Sequence, residues 1–212
     1  MRRVGLNVAG VWSAAFEMSK RPASDDGLPS KKAPGFWANG LLTAMKDPTL
    51  IVKEDSKVVV IKDKYPKAEF HYLVLPKEDI HSLTNVTRAN LPLLKHMDKI
   101  AQEITRNHEE RQFKIGYHAV ASMARLHLHV ISDDFNSPSL KTKKHWNTFT
   151  TDFFVPSAKV LAEVEEHGKF NRISSEVAKK LMDTPLKCNK CSFQSPTIPK
   201  LKQHLLTHIT KK

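Results

Sequence analysis

The chain has 212 residues, 40% apolar and 26% charged, which suits one main domain with its own core plus a small module. No apolar run nears the roughly 18 residues that a membrane-spanning helix requires, so a membrane span is excluded. Lys and Arg number 34 against 22 Asp and Glu, a formal charge of +12, which favours polyanions such as nucleic acid as partners.

Residues 1–35 hold "KRPASDDGLPSKKAPG", rich in Pro, Ser, Gly and charge and too poor in apolar surface to order itself. They are expected to form a basic, disordered leader. Its first 16 residues include Arg2 and Arg3 and no acid, like the start of a mitochondrial presequence, while Lys20-Arg21 and Lys31-Lys32 are spaced like a split nuclear signal. A nuclear location is expected, with the mitochondrion as alternative.

The main domain is expected over 36–184. "FWANGLLTAMKD" reads as a short helix, followed by strand-type runs "TLIVKED", "KVVVIKD" and "FHYLVLP", with Asp55-Ser56 as the turn between the first two. A helix from about Arg88 to Asn107 carries Leu91, Leu94, Ile100 and Ile104 as its apolar stripe. The strands "FKIGYHAV" and "LHLHVIS" follow, then a polar and aromatic stretch over 138–154 and a short helix at about 157–166. Strands, helix, strands with hairpin-sized links predict an α+β fold with an antiparallel sheet and flanking helices.

Over 185–212, Cys188-x2-Cys191-x12-His204-x3-His208 fits a two-cysteine, two-histidine zinc site at every spacing. These are the only cysteines, too close in sequence for a framework disulfide, and a reducing compartment fits them. Pro199 opens a helix that carries His204 and His208 on one face and Leu201 toward a small core. Four protein ligands make the zinc structural, with no cofactor for catalysis. Lys187, Lys190, Lys200, Lys202, Lys211 and Lys212, with no acid after Thr184, suit a phosphate grip that positions DNA without reading sequence. Packing on the main domain is the competing role for the finger.

In the strand "LHLHV", His127 and His129 share one face while Leu126, Leu128 and Val130 share the other. One side is core and the other is chemistry. A metal is one use for such a pair, though it needs a third ligand and an open position.

"LHLHV" resembles the core of the histidine triad motif, and "VVVIKDKYPKAEFHYLVLP", "GYHAVASMARLHLHVISDDF" and "SPSLKTKKHWNTF" extend the resemblance to the branch of that family that removes adenylate from abortively ligated DNA ends. The forkhead-associated domain found at the front of vertebrate members is expected to be missing. The resemblance implies that His127 attacks the adenylate phosphorus and forms a nucleotidyl-histidine, which water hydrolyses to AMP and a 5′-phosphate end. His129, His118 and Ser122 would meet the phosphate oxygens, Lys67 and His71 would bind or support substrate, and Asp63 would face the nucleoside. His145 and Lys144, in "KTKKHWNTF", would reach the leaving strand, with Lys141 and Lys143 on the backbone and Trp146 packed. Leu50 and Val52 are generic candidates for an adenine slot. The partner implied is DNA with 5′-adenylated ends, or an RNA-DNA junction, bound by a monomer.

The family pattern has a histidine where this chain has Arg125. Strand alternation gives position 125 the facing of His127 and His129, from which an arginine would lean on a phosphate but cannot serve as a neutral acceptor. A general nucleotide-conjugate hydrolase and a non-catalytic DNA-end-binding relative are the alternatives to the deadenylase.

Overall fold

A computed structural model describes residues 40–209; the leader, the first four residues of the expected first helix (36–39), and Lys211 and Lys212 lie outside the described residues. The described part belongs to one unit, main domain and finger together. It begins with the short helix α1 (Gly40–Ala44). Three strands follow in an antiparallel meander: β1 (Ile51–Glu54), β2 (Val58–Lys62) and β3 (His71–Pro76). The β1–β2 turn closes on Asp55, whose Oδ1 accepts the backbone N–H groups of Lys57 and Val58 at 2.7 and 2.8 Å, an Asx-type turn.

Two 3₁₀ turns (Leu83–Asn85, Arg88–Asn90) lead into α2 (Leu91–Arg106). The helix buries Leu94, Met97, Ile100, Ala101 and Ile104, an i, i+3/i+4 stripe as periodicity predicts. Its expected start at Arg88 is instead a 3₁₀ turn, because Pro92 sits in the first turn, where its missing N–H costs nothing. Strands β4 (Phe113–His118) and β5 (Leu128–Ser132) pair with each other, and β5 slots between β4 and β3. The sheet order is β1-β2-β3-β5-β4-β6, antiparallel throughout, with β6 (Phe154–Pro156) on the outer side of β4.

The sheet has two different faces. One carries Val58, Val60, Tyr72, Val74, Leu128 and Val130 against α2 and α4 (Ser157–His167) in the main core. The opposite face carries Val59, Ile61, Leu73 and Leu75 near α1, and, by alternation, His71, His129 and His118 beside them. Gly116 pairs with His129 and with Pro156. A Cβ there would run into the Val155 carbonyl and the Phe154 ring, so only glycine lets β6 approach.

Three elements lie where no helix or strand was expected: α3 (Lys143–Thr150), β6 and α5 (Ser175–Met182). The finger follows, with α6 (Ile198–Ile209). Leu186, Ile198, Leu201 and Leu205 of the finger share one core with Ile131, Phe135, Leu140, Trp146 and Phe149 of the main domain. Polar ties reinforce it. Trp146 Nε1 donates to the Lys187 carbonyl at 3.1 Å, Lys190 Nζ meets Asp133 Oδ1 at 3.0 Å, and Lys202 Nζ donates to the Ser137 carbonyl at 2.7 Å. None of the described helices is long and apolar enough to cross a membrane.

Candidate active site

A cavity of about 460 Å³ opens on the second sheet face, lined by all nine expected catalytic and substrate residues: Asp63, Lys67, His71, His118, Ser122, His127, His129, Lys144 and His145. They come from six places in the chain. Asp63 and Lys67 lie in the β2–β3 turn, His71 starts β3, His118 ends β4, Ser122 sits in the β4–β5 loop, His127 and His129 flank the start of β5, and Lys144 and His145 open α3.

His127 immediately precedes β5 and is buried at 8% exposure. A carbonyl can only accept, so the 2.7 Å contact between His127 Nδ1 and the Arg125 carbonyl fixes a proton on Nδ1. In the neutral ring the lone pair is then on Nε2. Burial pushes the ring's pKa below the ordinary histidine value, opposed by the Arg125 carbonyl and by Asp63. The ring is therefore the free base at neutral pH.

The remaining imidazoles form a relay. The Lys67 backbone N–H donates to His71 Nδ1 at 3.2 Å and cannot be reversed, whereas Asp63 Oδ2 stands farther off at 3.4 Å. His71 then carries its proton on Nε2 and donates it to His129 Nδ1 at 3.0 Å. That leaves His129 with its N–H on Nε2, a nitrogen that is buried and has no partner. His118 Nε2 is also buried without a partner, and its ring centroid is 4.3 Å from that of His129. Unpaired buried polar nitrogens are costly and mark a place where a ligand's acceptors complete the structure. Burial holds His71 down to about 4, Asp63 partly opposing, and pushes His118 and His129 well below the usual histidine range.

The surrounding groups divide by role. Asp63 Oδ1 accepts the Tyr65 N–H at 2.7 Å, so this carboxylate shapes its own turn while its other oxygen faces His71. Lys67 Nζ donates to the Tyr65 carbonyl, and burial lowers its pKa. On α3, Thr142 caps the helix by accepting the His145 N–H, and His145 Nδ1 accepts the Lys141 N–H at 3.2 Å. Phe149, one turn further, stands edge-on to His71 and His129 at 5.4 and 5.3 Å and at 4.7 Å from His118.

Several expectations are corrected. Arg125 does not share the facing of the histidines. Its φ of +104° breaks the alternation before β5 begins, and its guanidinium bonds the carbonyls of Pro76 and Lys77 and the Asp79 carboxylate. Val52 is 46% exposed on the edge strand and Leu50 packs near α1; neither lines the cavity. Lys143 donates to the Asp183 carbonyl at 2.7 Å, so it and the finger lysines Lys190 and Lys202 hold the protein together. The apolar wall that sequence reading missed comprises Leu73, Val120, Met123, Phe149, Phe153, Ala178 and Met182. Lys144/Thr148 and His145/Phe149 are i, i+4 pairs; reading 143–150 as a helix behind a Thr cap would have found Thr148 and Phe149.

In the finger, Cys188 Sγ and His208 Nε2 are 3.5 Å apart, Cys191 Sγ and His204 Nε2 3.2 Å, and the two histidine Nε2 atoms 3.1 Å. Zn–S and Zn–N bonds of roughly 2.3 and 2.0–2.1 Å give tetrahedral edges of about 3.3–3.6 Å. The four residues fit a zinc ion.

Sheet order, paired histidines and relay define a histidine triad fold followed by a zinc-finger domain. The chain belongs to the family described as "Scavenger mRNA decapping enzyme C-term binding", whose model matches residues 36–145, and a "C2HE / C2H2 / C2HC zinc-binding finger" matches 150–211. It resembles aprataxin: it is 48% identical to aprataxin of Gallus gallus over 94% of this chain and 64% of that protein, and 48% identical to aprataxin of Danio rerio over 82% and 54%. The chain thus spans between about half and two thirds of the length of these curated relatives. Among solved structures it is similar to the aprataxin ortholog Hnt3 in complex with DNA, with a TM-score of 0.66, 25% identity, and coverage of 81% of this chain and 94% of that one.

Proposed function

We propose that the chain is a DNA-repair hydrolase that removes adenylate from 5′-adenylated DNA ends, releasing AMP and a 5′-phosphate end. The observation that carries this reading is the fixed Nδ1–H of His127, which leaves Nε2 as an unprotonated nucleophile. The resemblance to aprataxin and to the aprataxin ortholog Hnt3 in complex with DNA supports the substrate class.

His127 Nε2 attacks the adenylate phosphorus, forming an N–P bond as the P–O bond to the DNA 5′-phosphate breaks. The leaving group departs as a phosphate monoester anion, whose second pKa is roughly 6, so it needs no strong acid. Water then attacks the same phosphorus, the N–P bond breaks, the ring leaves as neutral imidazole with its Nδ1 proton still held by the Arg125 carbonyl, and the attacking water gives up its proton to solvent. Two steps replace one difficult displacement. His129 Nε2–H and the partnerless His118 nitrogen receive the phosphoryl oxygens, where charge is spread in the transition state, and Ser122 adds donors from its loop. Lys144 and His145 meet the leaving strand's phosphate. When bound, zinc supplies a structural cross-link through Cys188, Cys191, His204 and His208, leaving no open position. A nuclear site of action, with the mitochondrion second, goes with this substrate.

The test is incubation with a nicked duplex labelled in its 5′-adenylate. AMP release is expected from the wild type, with a loss of about 10³-fold or more in His127→Ala and duplex affinity within about 2-fold. Turnover by His127→Ala at the wild-type rate removes the mechanism. Comparison with a free adenylate conjugate separates a general nucleotide-conjugate hydrolase, which would prefer the small substrate.

A further inference from the structure

Arg125 occupies an unusual position for a charged residue. It is 8% exposed and adopts φ +104°, a region that side chains with a Cβ rarely enter. Its guanidinium makes four hydrogen bonds to three residues: Nε and Nη2 to the Pro76 carbonyl at 3.2 and 2.9 Å, Nη2 to the Lys77 carbonyl at 2.6 Å, and Nη1 to Asp79 Oδ1 at 2.9 Å. The Asp79 side chain is 92% exposed, so solvent screens that ion pair and the two carbonyls are the principal anchor. The backbone N–H groups of Arg125 and Leu126 donate to the His81 and Ile80 carbonyls at 2.9 and 2.7 Å. The whole 125–126 turn is thereby tied to the segment that follows β3.

The Arg125 carbonyl is the group that accepts the His127 Nδ1 proton. Its direction follows from the φ at Arg125 together with the anchors on either side of it. We infer that Arg125 is a positioning residue: by fastening its guanidinium to the end of β3 it aims its own carbonyl at His127 and selects the ring tautomer with the lone pair on Nε2. Arg125 is not among the residues that line the histidine cavity. It acts through backbone geometry, in the place where the family pattern has a histidine. A lysine has one point donor and no planar fork, so it satisfies only part of this anchor.

This inference rests on the reading of His127 as nucleophile, and the test keeps the two apart. The full chain and its Arg125→Ala and Arg125→Lys variants are compared in single-turnover release of AMP from an adenylated nicked duplex. Nitrogen spectra of the labelled histidine rings and duplex affinity are recorded alongside. Arg125→Ala is expected to slow release about 10- to 100-fold, the scale of a small misplacement of a reacting group, with duplex affinity within about 2-fold. The His127 ring should change from a single Nδ1–H tautomer to a mixture. Arg125→Lys should fall between the two. Wild-type rates and an unchanged His127 tautomer in both variants would overturn the inference while leaving the deadenylase intact. No AMP release from the wild type, with the tautomer still shifting in Arg125→Ala, would remove the deadenylase and keep the positioning role. If Arg125→Ala loses its folded spectrum, Arg125→Lys decides by the same two readouts.

Discussion

The molecule holds two clusters rich in histidine, and they are built on opposite plans. In the finger the four ligand atoms converge on one point, every residue comes from a segment of 21 residues, and nothing is left for another ligand. In the sheet-face cavity the rings hand protons to one another and to a carbonyl, and two nitrogens, on His118 and His129, remain unpaired. A closed set of ligands stabilises a fold, whereas an incomplete set waits for a molecule that comes and goes. The two plans meet in one hydrophobic core, so the closed cluster supports the open one.

Removing zinc tests that support most severely. Binding of structural zinc to isolated fingers is worth about 10–16 kcal/mol, so chelation or Cys188→Ser should unfold the finger. Leu186, Ile198, Leu201 and Leu205 would then leave the core beneath Trp146 and Phe149. The expected result is a large fall in Tm and loss of AMP release even from a small adenylate conjugate that needs no DNA grip. A finger that melts while small-substrate turnover stays at its original rate would show that the clusters are independent.

Phe149→Ala probes the same connection from the other end. The ring is 3% exposed and touches three of the site histidines as well as the finger core. Its truncation should cost about 3–5 kcal/mol of stability, read by denaturant unfolding. Turnover should also fall, measured well below the Tm of the variant. Unchanged turnover there would confine Phe149 to packing.

Much of this comparison is legible in the sequence, and the parts that are not have physical reasons. The finger ligands lie close together in the chain at fixed spacings, so spacing alone identifies them. His127 and His129 stand out because strand alternation separates them from Leu126, Leu128 and Val130. Alternation misplaces Arg125 because it does not hold three residues upstream of the first strand residue, Leu128, past a backbone reversal that only a tertiary anchor sustains. The helices α3 and α5 have eight residues each, too short to form without tertiary packing. Their partners, the finger and each other, are distant in sequence. The cavity wall from Ala178 and Met182 has no local signature for the same reason.

Acid should distinguish the open cluster by its protonation. His71 lies at about 4 through burial, below an unfolded value of roughly 6.5. Between those values the unfolded chain binds a proton that the folded one refuses, so this residue's contribution to stability is full above about pH 6.5 and declines as pH falls toward 4. His127 is shifted in the same direction. The acid limb of kcat/KM, which reports the free enzyme, should therefore lie below pH 6.5. A limb at or above that value would mean that His127 is not buried as described.

The smallest expected effect sorts the lysines of α3, which adjoin both clusters. Lys143 donates to the Asp183 carbonyl, at the C-terminal end of α5, and belongs to the scaffold that joins α3 to α5. Lys144 is exposed at the lip of the cavity, the position from which a cation reaches a strand phosphate. Each phosphate contact contributes about one counterion to the salt dependence of duplex binding. Lys144→Ala should therefore reduce the slope of log affinity against log salt by about 1, with no change in Tm. Lys143→Ala should leave the slope unchanged and lower Tm slightly, since an exposed tie of this kind is worth no more than about 1 kcal/mol. The reverse pattern would assign the DNA contact to the lysine that faces α5 and move the duplex away from the lip of the cavity.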